Sequence, residues 1–181
     1  KMKNKLLIIF IFISWILPQT FAQLNFNSDV SKKGTTAAPF LSIGQSARAI
    51  GMGSAFVGVV NDVSSIYWNP AGLTKTQGVN VTFDHTLWIA DIKYNYLAAS
   101  YNLGDLGTIG FSYTGSNIGE MNVTTISQPE GTGETFSSTQ AAISLAYAIQ
   151  LTENFSIGFS PKFIYESIWR MNASAFALDL G

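Results

Sequence analysis

The sequence predicts an all-β fold, a transmembrane antiparallel β-barrel. Three observations lead there: an N-terminal secretory signal, a series of short period-two strands with one small polar face, and connections that alternate short and long.

The signal comes first in the chain. Lys1, Lys3 and Lys5 precede a 12-residue apolar run from Leu6 to Leu17 that only Ser14 interrupts. Pro18 ends the run, and Thr20-Phe21-Ala22 places small residues at −3 and −1 for cleavage before Gln23. The run is short for a permanent helical span, which takes about 20 apolar residues. No cysteine follows, so lipid attachment at the cleavage site, a disulfide framework and a thiolate metal site are all excluded. Residues 23–181 carry seven Lys or Arg against 11 Asp or Glu, a net charge of −4 that argues against nucleic acid as a partner. Without a second long apolar run, a membrane-embedded chain has to close its strands into a barrel, because hydrocarbon leaves no backbone group unpaired.

The organisation that follows is a signal over 1–22, a periplasmic or plug segment over 23–77, and strands over 78–181. In the middle segment, residues 46–73 do not alternate, yet they are too apolar and glycine-rich for a simple linker. Gly51 and Gly53 permit backbone angles that other residues resist. Asp62 is placed to cap a helical turn through Ser65 to Trp68. Pro70 disfavours helix at Asn69 and so limits that turn. A compact segment of this kind, ahead of the first strand, is suited to folding back inside a barrel.

From residue 78 the chain alternates. Val79, Val81 and Phe83 are apolar between polar neighbours; Ile109, Phe111 and Tyr113 repeat the pattern, as do Ile143, Leu145, Tyr147 and Ile149. The longest series sets Phe155, Ile157, Phe159, Phe163 and Tyr165 against Ser156, Gly158, Ser160, Lys162 and Glu166. Phe176, Leu178 and Leu180 close the run, and a weaker strand covers Ile92 to Leu103. Alternation alone fits a soluble sandwich, where the large face is core, or a membrane barrel, where it meets lipid. The small face is rich in Gly, Ala, Ser and Thr and poor in Lys and Glu, which favours the barrel. So do strands of about 9–12 residues, the tilted length of a bilayer span. The joins at Gly104-Asp105 and Leu151-Thr152-Glu153-Asn154 are tight, whereas Gly115 to Ser138 reads as a long polar outer loop. Trp88 and Trp169 fall at the same end of their hairpins, either as an interfacial girdle or as two unrelated surface tryptophans. Six strands are fewer than the eight of the smallest single-chain barrels, so the sequence reads as the N-terminal part of a longer protein, about half of it.

Chemical sites are sparse. Gly51-x-Gly53 lacks the remainder of a phosphate loop. His85 is the only histidine and has no patterned nucleophile or orienting acid, so catalysis and metal binding have no evident residues and no cofactor is expected. Lys162, Glu166 and Asp179 lie on the small face, with Lys162 and Asp179 placed to pair across adjacent strands or to tune selectivity. Arg48 and Asp62 are candidates to tie the plug to the wall. Glu130 and Glu134 mark an acidic loop suited to contacts outside the membrane.

The segment Ser46-Ala47-Arg48-Ala49, Gly51-Met52-Gly53, Ala55-Phe56, Asn61-Asp62 and Tyr67-Trp68-Asn69-Pro70-Ala71-Gly72-Leu73 resembles the N-terminal signature of the PorV/PorQ family of outer-membrane proteins, itself similar to FadL-type channels. The similarity continues through Ile118-Gly119-Glu120-Met121, Pro129 to Glu134, Phe155-Ser156-Ile157-Gly158 and Ala173 to Asp179. The resemblance implies a 14-stranded barrel with the N-terminal segment in its lumen, embedded in outer-membrane lipid. It further implies a non-enzymatic role in protein export or surface attachment linked to type IX secretion, with secretion-machine subunits or secreted cargo as partners. The alternative it leaves is a FadL-like channel for a hydrophobic small molecule, with Gly158 and Pro161 marking a gap in the wall. A barrel with a purely structural role is the third reading.

Overall fold

A computed structural model of the chain describes residues 37–181. The signal and the start of the segment after it lie outside those residues. Six antiparallel strands form one sheet in sequence order: β1 (Val79–Leu87), β2 (Lys93–Asn102), β3 (Thr108–Asn122), β4 (Thr135–Thr152), β5 (Phe155–Ile168) and β6 (Met171–Leu180). None of the described helices is long and apolar enough to cross a membrane.

The register lines side chains into rows, because paired residues share a face. One row runs Phe83, Leu97, Tyr113, Ile143, Phe163 and Phe176. Two rows along, another runs Val79, Tyr101, Ile109, Tyr147, Phe159 and Leu180. Most of this face is solvent-exposed: Phe83 is 65% accessible, Phe176 84%, and Leu145, in the row between, 61%. The opposite face holds Ala98, Ser112, Ser144, Ala146, Ala148 and Ser160, all buried. The sheet is thus inverted relative to a soluble protein, with its small polar face covered and its large apolar face bare.

Residues 37–77 supply the cover. A 3₁₀ turn over Pro39–Ser42 leads to α1 (Ala47–Gly51), then turns, α2 (Ser65–Trp68) and a second 3₁₀ stretch over Pro70–Lys75. Val63, Ile66 and Leu73 pack with Tyr96, Ala98, Ala146 and Ala148 in one cluster. Phe40 packs with Tyr94, Ala142 and Ile164 in another. Tyr94 and Tyr96, which weaken the alternation of β2, are large because they face this cover. Ile66 and Leu73 are fully buried. Each such side chain contributes about 1.5–3 kcal/mol.

Two expectations change. Residues 115–138 are not all loop: Asn117 pairs with Thr139 and Asn122 with Thr135, so only residues 123–134 connect the strands. β3 and β4 accordingly span 15 and 18 residues, longer than a bilayer crossing needs. The polar sequence there pairs through its backbone although its alternation fades. At Gly158 and Pro161, β5 keeps its register although its pairing with β4 lapses at Ser160 and Pro161. The Ser144↔Lys162 and Tyr147↔Phe159 pairs keep one register across the proline, and Pro161 pairs with Leu178 on the other side. Proline lacks the N–H of a single ladder bond, and the neighbours hold the strand.

Candidate functional site

The residues carrying the sequence signature lie on the covered face, centred on Tyr67 to Leu73. Asp62 starts the arrangement. Its Oδ1 accepts the Ser64 N–H at 2.9 Å, and its backbone carbonyl accepts the Ser65 hydroxyl. α2 ends at Trp68 because Asn69, ahead of proline, is extended at φ −163° and ψ 99°. Asn69 then caps the following 3₁₀ stretch, its Oδ1 accepting the Ala71 N–H at 3.2 Å while its Nδ2 donates to the Val57 carbonyl at 3.1 Å.

Tyr67 and Trp68 fasten the earlier part of the segment to this core. The Tyr67 hydroxyl reaches the carbonyls of Leu41 at 2.6 Å and Ile43 at 3.1 Å. Trp68 Nε1 donates to Gln45 at 2.9 Å. The two rings meet edge-on with centroids 5.2 Å apart, and Tyr67 meets Tyr96 at 6.3 Å. Burial, with the Asp179 carboxylate adding to it, pushes the Tyr67 phenol up to about 12.

Glycines set how closely the segment approaches the sheet. A Cβ on Gly158 of β5 would lie 2.5 Å from Ala71 N and from Pro70 C, both backbone atoms. A Cβ on Gly110 of β3 would lie 2.8 Å from Ile66 Cδ1. Within the segment, a Cβ on Gly72 would lie 2.9 Å from Val60 Cβ. The Asn-Pro-Ala-Gly run therefore rests backbone-first on a strip of the sheet that has no side chains. Gly53 has φ +66°, the left-handed region that favours glycine, whereas Gly51 is helical with open space around it.

Arg48 and Asp62 do not tie the segment to the sheet. Arg48 Nη1 bonds Asn61 Oδ1 at 2.6 Å and Asp62 Oδ2 at 3.1 Å, and its guanidinium lies 5.3 Å from the Phe56 ring centroid. All four residues belong to one local loop, so the bridge closes the segment on itself. It is half-exposed and correspondingly weak. The polar ties to the sheet include Glu166, whose Oε2 accepts the Ala38 N–H at 3.3 Å, Thr74, whose hydroxyl donates to Ser156 Oγ at 3.0 Å, and Asn102, whose Nδ2 donates to the Thr76 carbonyl at 2.8 Å. Lys162 and Asp179 form an ion pair on the covered face, diagonal across β5 and β6. Lys162 Nζ also lies 5.7 Å from the Tyr67 ring centroid. These groups line a cleft of about 440 Å³ with Leu41, Trp68 and Pro70.

Trp88 and Trp169 stand at one level within a residue, Trp88 bonding Ile92 and Trp169 bonding Ser137 through the backbone. They stand beyond the continuous apolar rows. A largely polar row of Lys93, Asn117, Thr139, Ser167 and Asn172 lies between, with Leu87 of β1 its apolar member beside Trp88, and the aromatics at the margin are Tyr113 and Tyr165. His85 is exposed, its Nδ1 2.7 Å from Asn95 Oδ1. Sequence reasoning missed Gly110, Tyr96 and Glu166's role as an anchor. The available signal was their position on the small face.

Residues 26–177 match the family described as type IX secretion system protein PorV. No curated protein matches the chain.

Proposed function

The chain belongs to the PorV family of type IX secretion system proteins, and from that premise we propose that it is a non-enzymatic outer-membrane β-barrel, plugged by residues 37–77, acting in protein export or surface attachment. The inverted sheet carries this reading. A bare face of Val, Leu, Ile, Phe and Tyr over six adjacent strands needs an apolar solvent, and lipid is the one that suits alternating strands.

The dimensions support it. The apolar levels run from Leu151 and Phe155 up to Phe83, eight residues in register, or about 27 Å along the strand. At a tilt of about 40° that is roughly 21 Å along the membrane normal, close to the ~25 Å band of such barrels. Tyr113 and Tyr165 then mark the margin, and Trp88 and Trp169 lie in the headgroup zone.

The plug explains why the lumen face is small. Its backbone is seated on Gly158 and its side chains on Gly110 and Ala146, which fits a fixed barrier better than a freely moving hatch. Such a barrel contributes to export through its partners at the outer surface. The Pro70-Ala71 backbone seated against Gly158, and a β5 that holds one register past Pro161, favour export over uptake through a gap at this strand.

Deletion of the gene in its own host tests this. Export of type IX cargo into the medium is expected to fail while uptake of long-chain fatty acid is unchanged. Normal export with lost uptake would overturn the reading.

A further inference from the structure

The covered face changes character at the Trp88 end. Below, its rows carry Ser116, Gln140, Ala142 and Ser144. Above, the same face presents Ile118, Met121, Phe136, Ile168 and Met171, since Met121 pairs with Phe136, and Ile118 and Ile168 both pair with Ser138. Met171 is 78% accessible, Ile168 50% and Met121 37%. Unlike the lipid-side rows, this patch faces the lumen side, on strand ends that β3 and β4 carry beyond the apolar band. At its centre Ser138 is buried at 4% exposure with its hydroxyl unpartnered.

Charge at this end is one-sided on the longest hairpin. Glu120, Glu130 and Glu134 are exposed there, and no Lys or Arg occurs between Tyr94 and Pro161. Arg170, in the turn between β5 and β6, lies 5.0 Å from the Trp169 ring centroid. Methionine adapts to differently shaped apolar partners, and a row of carboxylates selects cationic ones.

We propose that this outer-mouth patch is a docking surface for an extended protein segment whose apolar side chains are flanked by Lys or Arg. The inference rests on the export reading and deepens it. Apolar side chains settle among Met121, Phe136, Ile168 and Met171, and the flanking cations meet the three glutamates.

The test uses the natural full-length protein in lipid nanodiscs and short synthetic peptides with a Val-Leu-Val centre. Peptide with terminal lysines is expected to bind, and its counterpart with terminal glutamates to bind at least about tenfold more weakly. The Phe136→Asp and Met171→Asp variants are each expected to weaken the lysine peptide by about tenfold or more, because docking would bury a carboxylate among apolar groups. Glu120→Gln with Glu134→Gln should flatten the salt dependence. Equal binding of the two peptides, unchanged affinity in both aspartate variants, or full displacement by oleate in favour of a small-molecule site would each overturn the proposal. Heat-modifiable migration of each variant reports that the barrel is folded. If gene deletion abolishes export while the aspartate variants export normally and bind as wild type, this inference alone falls. If deletion leaves export intact, the reading beneath it falls.

Discussion

Replacing Gly158 with alanine tests how the plug is seated. The new Cβ would sit 2.5 Å from two plug backbone atoms, whereas ordinary contact begins at 3.4 Å, so the Pro70-Ala71 backbone must lift by about 0.9 Å. Neither side yields cheaply. Pro70 is buried behind Trp68, and β5 is paired on both sides. Overpacking of this kind costs about 1–3 kcal/mol. With a urea slope of about 2 kcal/mol per molar, the unfolding midpoint should fall by roughly 0.5–1.5 M. Gly51→Ala is the control: nothing lies within 4 Å of its Cβ and the residue is helical, so it should be neutral or stabilising by up to ~1 kcal/mol. Both variants are measured by tryptophan fluorescence in detergent, beside protease sensitivity of the plug. Coincident midpoints for the two would refute the claim that the Asn-Pro-Ala-Gly run lies on β5.

Other perturbations address the remaining contacts. Asp179→Asn strands Lys162, which is 12% exposed, and should cost about 1–3 kcal/mol, while Lys162→Met with Asp179→Leu should cost less than that single change; a double-mutant cycle in urea checks it. Tyr67→Phe removes hydrogen bonds to Leu41 and Ile43 and should lower stability by about 1 kcal/mol at neutral pH. The Tyr67 phenol is held protonated up to about 12 when folded against 10.0 when unfolded. Its contribution is therefore full below pH 10 and is lost as pH rises from 10 towards 12, so wild type should lose more stability over that window than Tyr67→Phe. Ile109→Arg, at the middle level of the bare face, should destabilise the membrane-inserted protein by about 2–4 kcal/mol, seen as a lower urea midpoint in lipid vesicles.

The strands were legible because each keeps strict alternation where one side meets an apolar medium. That signal stops at the edge of the band. Beyond Gly115 both sides of β3 and β4 meet water or loosely packed residues, and the sequence there looks like loop although its backbone pairs. The diagonal placement of Lys162 and Asp179 followed from alternation plus the short turn between their strands. Arg48 was different. Its charge is visible in the sequence, but only the turns over residues 52–60 bring Asn61 and Asp62 back to it, so a tie to the wall became a local clasp. Gly158 shows the same limit. A glycine in a strand reads as weakness, and its cause is a backbone more than 80 residues earlier in the chain.

The central claim is that the bare face meets lipid. The sequence contains no cysteine, so single cysteines at Phe83, Ile143 and Phe163 can carry spin labels in reconstituted outer-membrane lipid, with Ser112→Cys on the covered face as reference. Collisions of the labels with oxygen and with a water-soluble nickel chelate are then compared. High oxygen and low nickel accessibility at all three positions, with neither reagent enriched at the reference, is the predicted result. Free access of the nickel chelate to Phe83, Ile143 and Phe163 would contradict the account.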